Sequence, residues 1–249
     1  MLETGRVKVI SNDPYKYTSK IYAHLMRKID YREWAEYLED LIADEINNPK
    51  NVLELGCGNC VISNLLAPHF PKMIVTDISK NMLVQSNNSK LQVVCNDMKA
   101  LPFKEKFSVV FSAFDTVNYL MTEAELKKLY VEVSRVLEDD GIFSFDASLL
   151  NNSLKNIKHL NRSGKVDGIR YIQQSVFDNE EKIHYNNLKF ILGNGEEITE
   201  VHEQKIFDFE TYFYLAEETD LYVSSCYDSF SFDNASSTCE RVQFVLKKK

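Results

Sequence analysis

The chain has 249 residues, of which 44% are hydrophobic and 27% are charged, as expected for a folded protein with a buried core. Its 29 Lys and Arg residues against 37 Asp and Glu residues give a net charge of −8, which disfavours nucleic-acid binding and favours an amine or neutral small-molecule partner over a phosphorylated one. We expect a cytoplasmic protein that does not bind membranes, because no stretch approaches roughly 20 apolar residues, no signal-peptide pattern is present and the 5 cysteines suit reduced thiols.

The first part of the chain alternates predicted helices and strands. Residues 30–46 have the spacing of an amphipathic helix, and Asp30 is positioned to cap it. Apolar strands are predicted at 51–56, 72–78, 91–97, 107–114 and 142–147, with helices at 61–70, 79–88 and 122–138, the last ended by Gly141. Strands that are apolar on both faces are typical of a covered parallel sheet. This order predicts an α/β fold with a doubly wound, mostly parallel, Rossmann-like sheet.

After about residue 165 the hydrophobic period changes to two, which predicts an antiparallel meander inserted after the fifth strand. Asn194-Gly195 predicts a two-residue hairpin turn that pairs His184 with Lys205. In that register His184 and His202 lie on opposite faces, and we expect each to be exposed. A helix at 210–219 and strands at 221–232 and 240–248 then complete a seven-stranded sheet. We therefore expect one domain over residues 1–249, with an inserted lid at 160–207 over the site.

A glycine turn connects the predicted strand at 51–56 to the helix that follows it. Gly56 and Gly58 allow a sharp bend and a close approach of a ligand to the backbone. Asp77 and Asp97 end the next two strands, and the carboxyl ends of parallel strands share one edge of a sheet. An acid at Asp77 can accept hydrogen bonds from both hydroxyls of a ribose, and one at Asp97 from an adenine amino group. The sequence therefore predicts a nucleoside site at this edge.

These segments are ELGCG at 54–58, VTDIS at 75–79, NDM at 96–98 and FSVVFSAFD at 107–115, and together they resemble the small-molecule branch of the class I S-adenosylmethionine-dependent methyltransferases. The resemblance implies S-adenosylmethionine as cofactor and transfer of its methyl group to nitrogen or oxygen of a small-molecule acceptor. The transfer would be an in-line displacement.

Site residues follow from the same resemblance. The candidates for cofactor binding are Glu54, Gly56, Cys57, Gly58, Asp77, Ile78, Met82, Asn96, Asp97, Met98 and Phe114. Within that set the glycine turn and Glu54 would hold the methionine part, Asp77 the ribose, and Phe114 would close the pocket below the sulfonium. The candidates for catalysis are Tyr22, by resemblance, and Asn118 and Tyr119, which follow the fourth strand at the same edge.

The chain departs from the family pattern at two positions. Cys60 stands at the third glycine of the motif, which is tolerable if the residue lies inside the helix, and Ala23 follows Tyr22 where many relatives have Asp. Cys57 and Cys60 also form a C-x-x-C pattern, but no second cysteine pair at zinc spacing follows, so we expect free thiols and no metal site. Two alternatives stay open, a cofactor-binding regulatory or scaffold protein without transfer activity and a nicotinamide-dependent oxidoreductase.

Overall fold

The computed structural model of the protein describes residues 8–10, 15–86 and 91–249, and the last residues of the predicted helix 79–88 lie outside them. The helices are α1 (Thr18–Leu25), α2 (Tyr31–Glu45), α3 (Val61–Leu66), α4 (Lys80–Val84), α5 (Glu123–Val136), α6 (Leu150–His159) and α7 (Phe209–Glu217), with a 3₁₀ helix at Thr116–Tyr119. The strands are β1 (Lys8–Ile10), β2 (Val52–Leu55), β3 (Met73–Asp77), β4 (Gln92–Cys95), β5 (Phe107–Ser112), β6 (Leu137–Ser148), β7 (Arg162–Val166), β8 (Ile169–Asp178), β9 (Ile183–Ile191), β10 (Glu197–Lys205), β11 (Leu221–Asp228) and β12 (Arg241–Lys248). No helix within those ranges is long and apolar enough to cross a membrane.

The main sheet has seven strands in the order β11-β12-β6-β5-β2-β3-β4. The five strands from β6 to β4 pair in parallel, and β12 pairs antiparallel with both β6 and β11. Helices α5 and α7 cover one face, and α2 and α3 cover the other, so both faces are buried. The predicted doubly wound, mostly parallel fold is confirmed, and the carboxyl ends of β2, β3, β4 and β5 meet at one edge.

The boundary between α5 and β6 differs from the prediction. The helix ends at Val136 and the strand begins at the next residue, so Gly141 lies inside β6 and does not terminate the helix. A Cβ atom on Gly141 would lie 3.0 Å from the carbonyl oxygen of Ser108 on β5. The glycine is therefore explained by a close approach of two strands and not by a helix end.

A second sheet has the order β1-β10-β9-β8-β7, and β7 to β10 form the antiparallel meander. The strand β7 was not predicted, although Asp167-Gly168 is a hairpin signal as strong as Asn-Gly. Both residues have positive φ angles, 48° and 82°, and they form the two-residue turn that joins β7 to β8. This hairpin pairs Arg162 with Gln173.

The register between β9 and β10 is shifted by one residue from the prediction. The Leu192 amide donates to the Glu196 carbonyl at 2.9 Å, and Gly195 has a φ of 84°, so the turn contains three residues. A three-residue turn with glycine in the left-handed conformation is the next most common hairpin loop. His184 therefore pairs with Gln204, and His202 with the residue two positions after His184. The two histidines share one face and are 4% and 5% exposed. The predictions that they lie on opposite faces and that each is exposed were therefore wrong.

Candidate active site

A cavity of about 420 Å³ lies between the carboxyl edge of the main sheet and the second sheet. We call its two sides the strand-end half and the second-sheet half. The strand-end half includes every predicted cofactor residue: Glu54, Gly56, Cys57, Gly58, Asp77, Ile78, Met82, Asn96, Asp97, Met98 and Phe114. The second-sheet half is lined from α1, the segment before it and the meander, by Tyr15, Thr18, Tyr22, Leu25, Met26, Leu160, Arg162, Gln173, Asn186, Leu188, His202 and Gln204.

The glycine turn is formed by tight backbone packing at the end of β2. Gly56 has a φ of 70°, and a Cβ atom there would lie 2.2 Å from Cγ2 of Thr116. Gly58 has a φ of 57°, and its amide donates to Oδ2 of Asp77 at 2.8 Å. Both positions need glycine, the first for space and conformation and the second for conformation.

Asp77 connects this turn to the next helix. Its Oδ1 atom accepts from the Ser79 amide at 2.7 Å, while its Oδ2 atom accepts from Gly58. Burial raises the pKa of Asp77, and the two backbone hydrogen bonds oppose that rise. A carboxylate has about four acceptor positions, so Asp77 keeps acceptor capacity toward the cavity.

Two further residues after β4 line the same half. Asp97 accepts from the Lys99 amide at 2.8 Å, and the Lys99 ammonium lies 3.7 Å from its other oxygen and also pairs with Glu125. The Oδ1 atom of Asn96 is buried and has no hydrogen-bond partner within the described part of the chain. An unsatisfied buried acceptor is costly, so this atom suits a ligand that donates a hydrogen bond.

Glu54 is 3% exposed and accepts a hydrogen bond from the Ser63 hydroxyl. Burial raises its pKa to about 8, and the bond from Ser63 partly opposes the rise. The side chain is therefore largely neutral at pH 7, and a cation that binds nearby would favour its ionised form.

Cys60 does not lie inside α3, which is where a cysteine in place of the third glycine would be tolerated. It precedes the helix as its N-cap residue and has a φ of 61°, so it adopts the left-handed conformation that a third glycine would adopt freely. Such a conformation costs an ordinary residue roughly 1–2 kcal/mol. Its sulfur lies 3.5 Å from that of Cys57, and both cysteines are free thiols.

Two of the three predicted catalytic residues line the cavity, together with Tyr15. The Tyr15 and Tyr119 hydroxyls share a hydrogen bond, and the Tyr15 ring lies 6.1 Å from that of Tyr22. Burial raises the pKa of all three tyrosines, most clearly for Tyr15 and Tyr22. They therefore act as neutral hydroxyls at physiological pH.

Asn118, the third predicted catalytic residue, is not among the described residues that line the cavity, and its side chain bonds to backbone groups of the fold. It is 0% exposed, and its side-chain amide donates to the carbonyl oxygens of Ser148 at 3.2 Å and Lys205 at 2.8 Å. Its Oδ1 atom accepts from the Ser148 amide at 2.9 Å. These bonds join the 3₁₀ helix to the ends of β6 and β10.

A partly buried ion cluster beside the cavity was not predicted from the sequence. Arg241 on β12 pairs with Asp115 at 2.9 Å and with Asp146 on β6. Burial raises the pKa of Asp146 to about 6, while the nearby arginine opposes the rise. Asp115 also accepts from the Gln204 amide at 2.7 Å, so this cluster connects the main sheet to the second sheet. Its members lie far apart in the chain, and no local pattern predicts them.

Helix α1 is attached to β10 by a second network. Glu200 accepts from the Thr18 amide at 3.0 Å and from the Thr18 hydroxyl at 2.6 Å. The Thr18 hydroxyl also lies 3.1 Å from Nε2 of His202. Since its hydrogen points to Glu200, the hydroxyl oxygen accepts from Nε2–H, and in the neutral ring Nδ1 of His202 is then an acceptor. That Nδ1 atom is buried and has no partner among the described residues.

The chain is similar to known methyltransferases in its sequence and in its fold. A family model described as a methyltransferase domain matches residues 52–141. A Bacillus subtilis protein provisionally named methyltransferase YqeM is 26% identical over 243 residues, which cover 94% of this chain and 97% of that protein. A Clostridium acetobutylicum structure described as an S-adenosylmethionine-dependent methyltransferase superposes with a TM-score of 0.77 and 22% identity, covering 94% of this chain and 98% of that one. The sugar N-methyltransferase KedS8 from Streptoalloteichus superposes with a TM-score of 0.77 and 15% identity over 100% of both chains.

Proposed function

The chain belongs to the class I S-adenosylmethionine-dependent methyltransferases, and we propose that it transfers a methyl group from this cofactor to nitrogen or oxygen of a small-molecule acceptor. The observation that carries the proposal is the position of Asp77. Its carboxylate closes the glycine turn through Gly58, caps the next turn through Ser79 and still borders the cavity. An acid in that place suits a vicinal diol, which needs two acceptor atoms side by side.

The residues of the strand-end half fit the cofactor. Asp77 would accept from the ribose hydroxyls, and Asn96 Oδ1 and the Asp97 carboxylate offer acceptors for an adenine amino group. Ile78 is exposed and Met82 is buried, and both border the cavity, where they would contact the faces of the base. Glu54, neutral when alone, would ionise beside the ammonium of the methionine part.

When bound, S-adenosylmethionine would supply a methyl carbon that the acceptor lone pair attacks in line, while the carbon–sulfur bond breaks and the sulfur leaves as a neutral thioether. The residues of this chain then have to position the acceptor and exclude water, effects that reach about 7–11 kcal/mol in favourable cases. Tyr15, Tyr22 and Tyr119 would provide both, because their rings pack together and their hydroxyls stay neutral. Nδ1 of His202 would accept the proton that a hydroxyl or ammonium acceptor has to lose.

The size of the cavity supports a small acceptor. It is about 420 Å³, within the range typical of small-molecule sites, and the second sheet covers it. We infer that residues 160–207 act as a lid whose inner face determines which acceptor binds.

Calorimetry with S-adenosylhomocysteine, the demethylated product, tests the cofactor site. We expect one site per chain, and Asp77→Asn should weaken binding by about tenfold or more because one acceptor position becomes a donor. Asp44→Asn is the matched control, since it makes the same change on an exposed face of α2. Equal affinity in the wild type and Asp77→Asn would reject the ribose assignment.

A transfer assay separates the enzyme from its alternatives. The protein is incubated with S-adenosylmethionine labelled on its methyl carbon and with a pool of small metabolites. Labelled product is expected, whereas binding without labelled product from any pool favours a regulatory or scaffold protein. Tight binding of NAD in place of the methyl donor would favour an oxidoreductase.

A further inference from the structure

One cation in the second-sheet half has no anionic partner. Arg162, at the start of β7, lines the cavity, and its Nε atom donates to Oε1 of Gln173 at 2.7 Å. One terminal nitrogen donates to the Leu25 carbonyl oxygen at 3.0 Å. Within residues 15–86 and 91–249, no carboxylate oxygen lies within 4.0 Å of its guanidinium. By contrast Lys99, which also borders the cavity, is paired with Glu125.

The two hydrogen bonds fix the orientation of the guanidinium but occupy only two of its N–H donors. Arginine has five N–H donors in one plane, and Gln173 and Leu25 accept from two of them. Burial lowers the pKa of Arg162, Tyr171 partly opposes this shift, and the neighbouring charge of Arg27 adds to it. A partly buried cation without a counter-ion is unfavourable, so an anion bound at this position would be stabilising.

Apolar side chains and a chain of hydrogen bonds surround Arg162. The Gln173 amide donates to Oδ1 of Asn186 at 3.3 Å, so the residue that orients Arg162 is itself held by the next strand. The apolar side chains that line this part of the cavity are Leu25, Met26, Leu160 and Leu188. A ligand here would have an apolar body beside its charged group.

We propose that Arg162 binds an anionic group, a carboxylate or a phosphate, on the methyl acceptor, whose apolar body contacts the neighbouring leucines. The acceptor class is therefore a small organic anion, although the net charge of the chain favours a neutral or amine acceptor. The charge of Arg162 determines which acceptor binds, because the surface charge of the rest of the chain is screened beyond about 8 Å at physiological salt. This inference rests on the proposed function, since it places the acceptor in the second-sheet half.

The test uses three probes of similar size: benzoate, phenyl phosphate and benzamide. Each is titrated by NMR into the isotopically labelled protein, with and without saturating S-adenosylhomocysteine. At least one anion should bind about tenfold more tightly than neutral benzamide. The tighter of the two anions assigns the natural group as carboxylate or phosphate.

Variants connect that preference to Arg162. Arg162→Met should abolish the preference for the anion, and Arg162→Lys should keep much of it, because the charge remains while the fork of donors is lost. Arg170→Met is the matched control, since Arg170 is exposed on the adjacent strand, and it should keep the full preference.

Two results would overturn the proposal. One is equal binding of benzoate, phenyl phosphate and benzamide to the wild type, a result that does not depend on whether Arg162→Met folds. The other is an unchanged anion preference in folded Arg162→Met. Failure of S-adenosylhomocysteine to bind would contradict the proposed function instead. The titrations without S-adenosylhomocysteine would still show whether Arg162 binds an anion.

Discussion

The two halves of the cavity are built in opposite ways. In the strand-end half, Asp77 and Gly58 lie 19 residues apart. The carboxylates of Asp77 and Asp97 line this half, and the Glu54 side chain beside them is largely neutral. In the second-sheet half, contacts join residues as distant as Thr18 and Glu200, and Arg162 is the unpaired charge among the described residues that line it. The proposed cofactor side therefore depends on local turns, and the proposed acceptor side depends on long-range strand register.

The largest effect on cofactor binding is expected from breaking the strand-end half at Gly56. Gly56→Ala would place a methyl group 2.2 Å from Thr116 in a left-handed conformation, so the turn has to move. Calorimetry should show binding of S-adenosylhomocysteine reduced by at least about a hundredfold. Gly168→Ala is the matched control, because its φ of 82° gives the same strain with no atom within 4 Å of the added carbon. Equal affinities in the two variants would contradict the steric explanation.

The ion cluster between the halves should affect the whole fold. Arg241→Met leaves Asp146 buried without its partner, and loss of one partner of a buried pair costs about 3–5 kcal/mol. The free energy of unfolding in urea measures this loss. Lys155→Met, which removes an exposed partner of Glu240, should cost less than about 1 kcal/mol. A similar loss in both variants would show that the cluster contributes no more than a surface pair.

Glu54 makes the stability of the strand-end half depend on pH. Its pKa is raised to about 8 in the folded protein, above the usual value of 4.5, so the folded state keeps a proton that the unfolded state has lost between those values. The stability that this proton provides is present below pH 4.5 and is lost as the pH rises toward 8.

Glu54→Gln, which does not titrate, should therefore become more stable relative to the wild type between pH 5 and pH 8, by up to about 3 kcal/mol. Thermal unfolding of both proteins across this range measures the difference. Glu36→Gln, on the exposed side of α2, serves as the control. A difference that stays constant with pH would contradict a raised pKa at Glu54.

The smallest effect is expected where the two halves touch. Gln204→Leu removes the hydrogen bond to the Asp115 carboxylate, worth about 1.5 kcal/mol. Hydrogen exchange should become faster in β10 and stay unchanged in β2, because the second sheet loses one of its attachments to the main sheet while the parallel sheet keeps its own hydrogen bonds. Gln174→Leu, on the exposed face of β8, should change neither strand. Faster exchange in β2 would show that the halves are one cooperative unit.

The sequence predicted the strand-end half well, because its signals are local. Gly56, Gly58 and Asp77 follow strands directly, and alternation of strands and helices determines which edge they share. The second-sheet half was predicted poorly, because one extra residue in the turn at Gly195 reverses which face His202 occupies. The Asp167-Gly168 hairpin was a usable signal for β7, whereas the bonds of Asn118 to distant carbonyl groups have no signature in one sequence.

A crystal structure with S-adenosylhomocysteine bound would show whether Asp77 holds the ribose. We expect the ribose hydroxyls within hydrogen-bond distance of Asp77 and the sulfur facing the tyrosines of the second-sheet half. A ligand found elsewhere, or a ribose in this cavity without contact to Asp77, would contradict the ribose assignment.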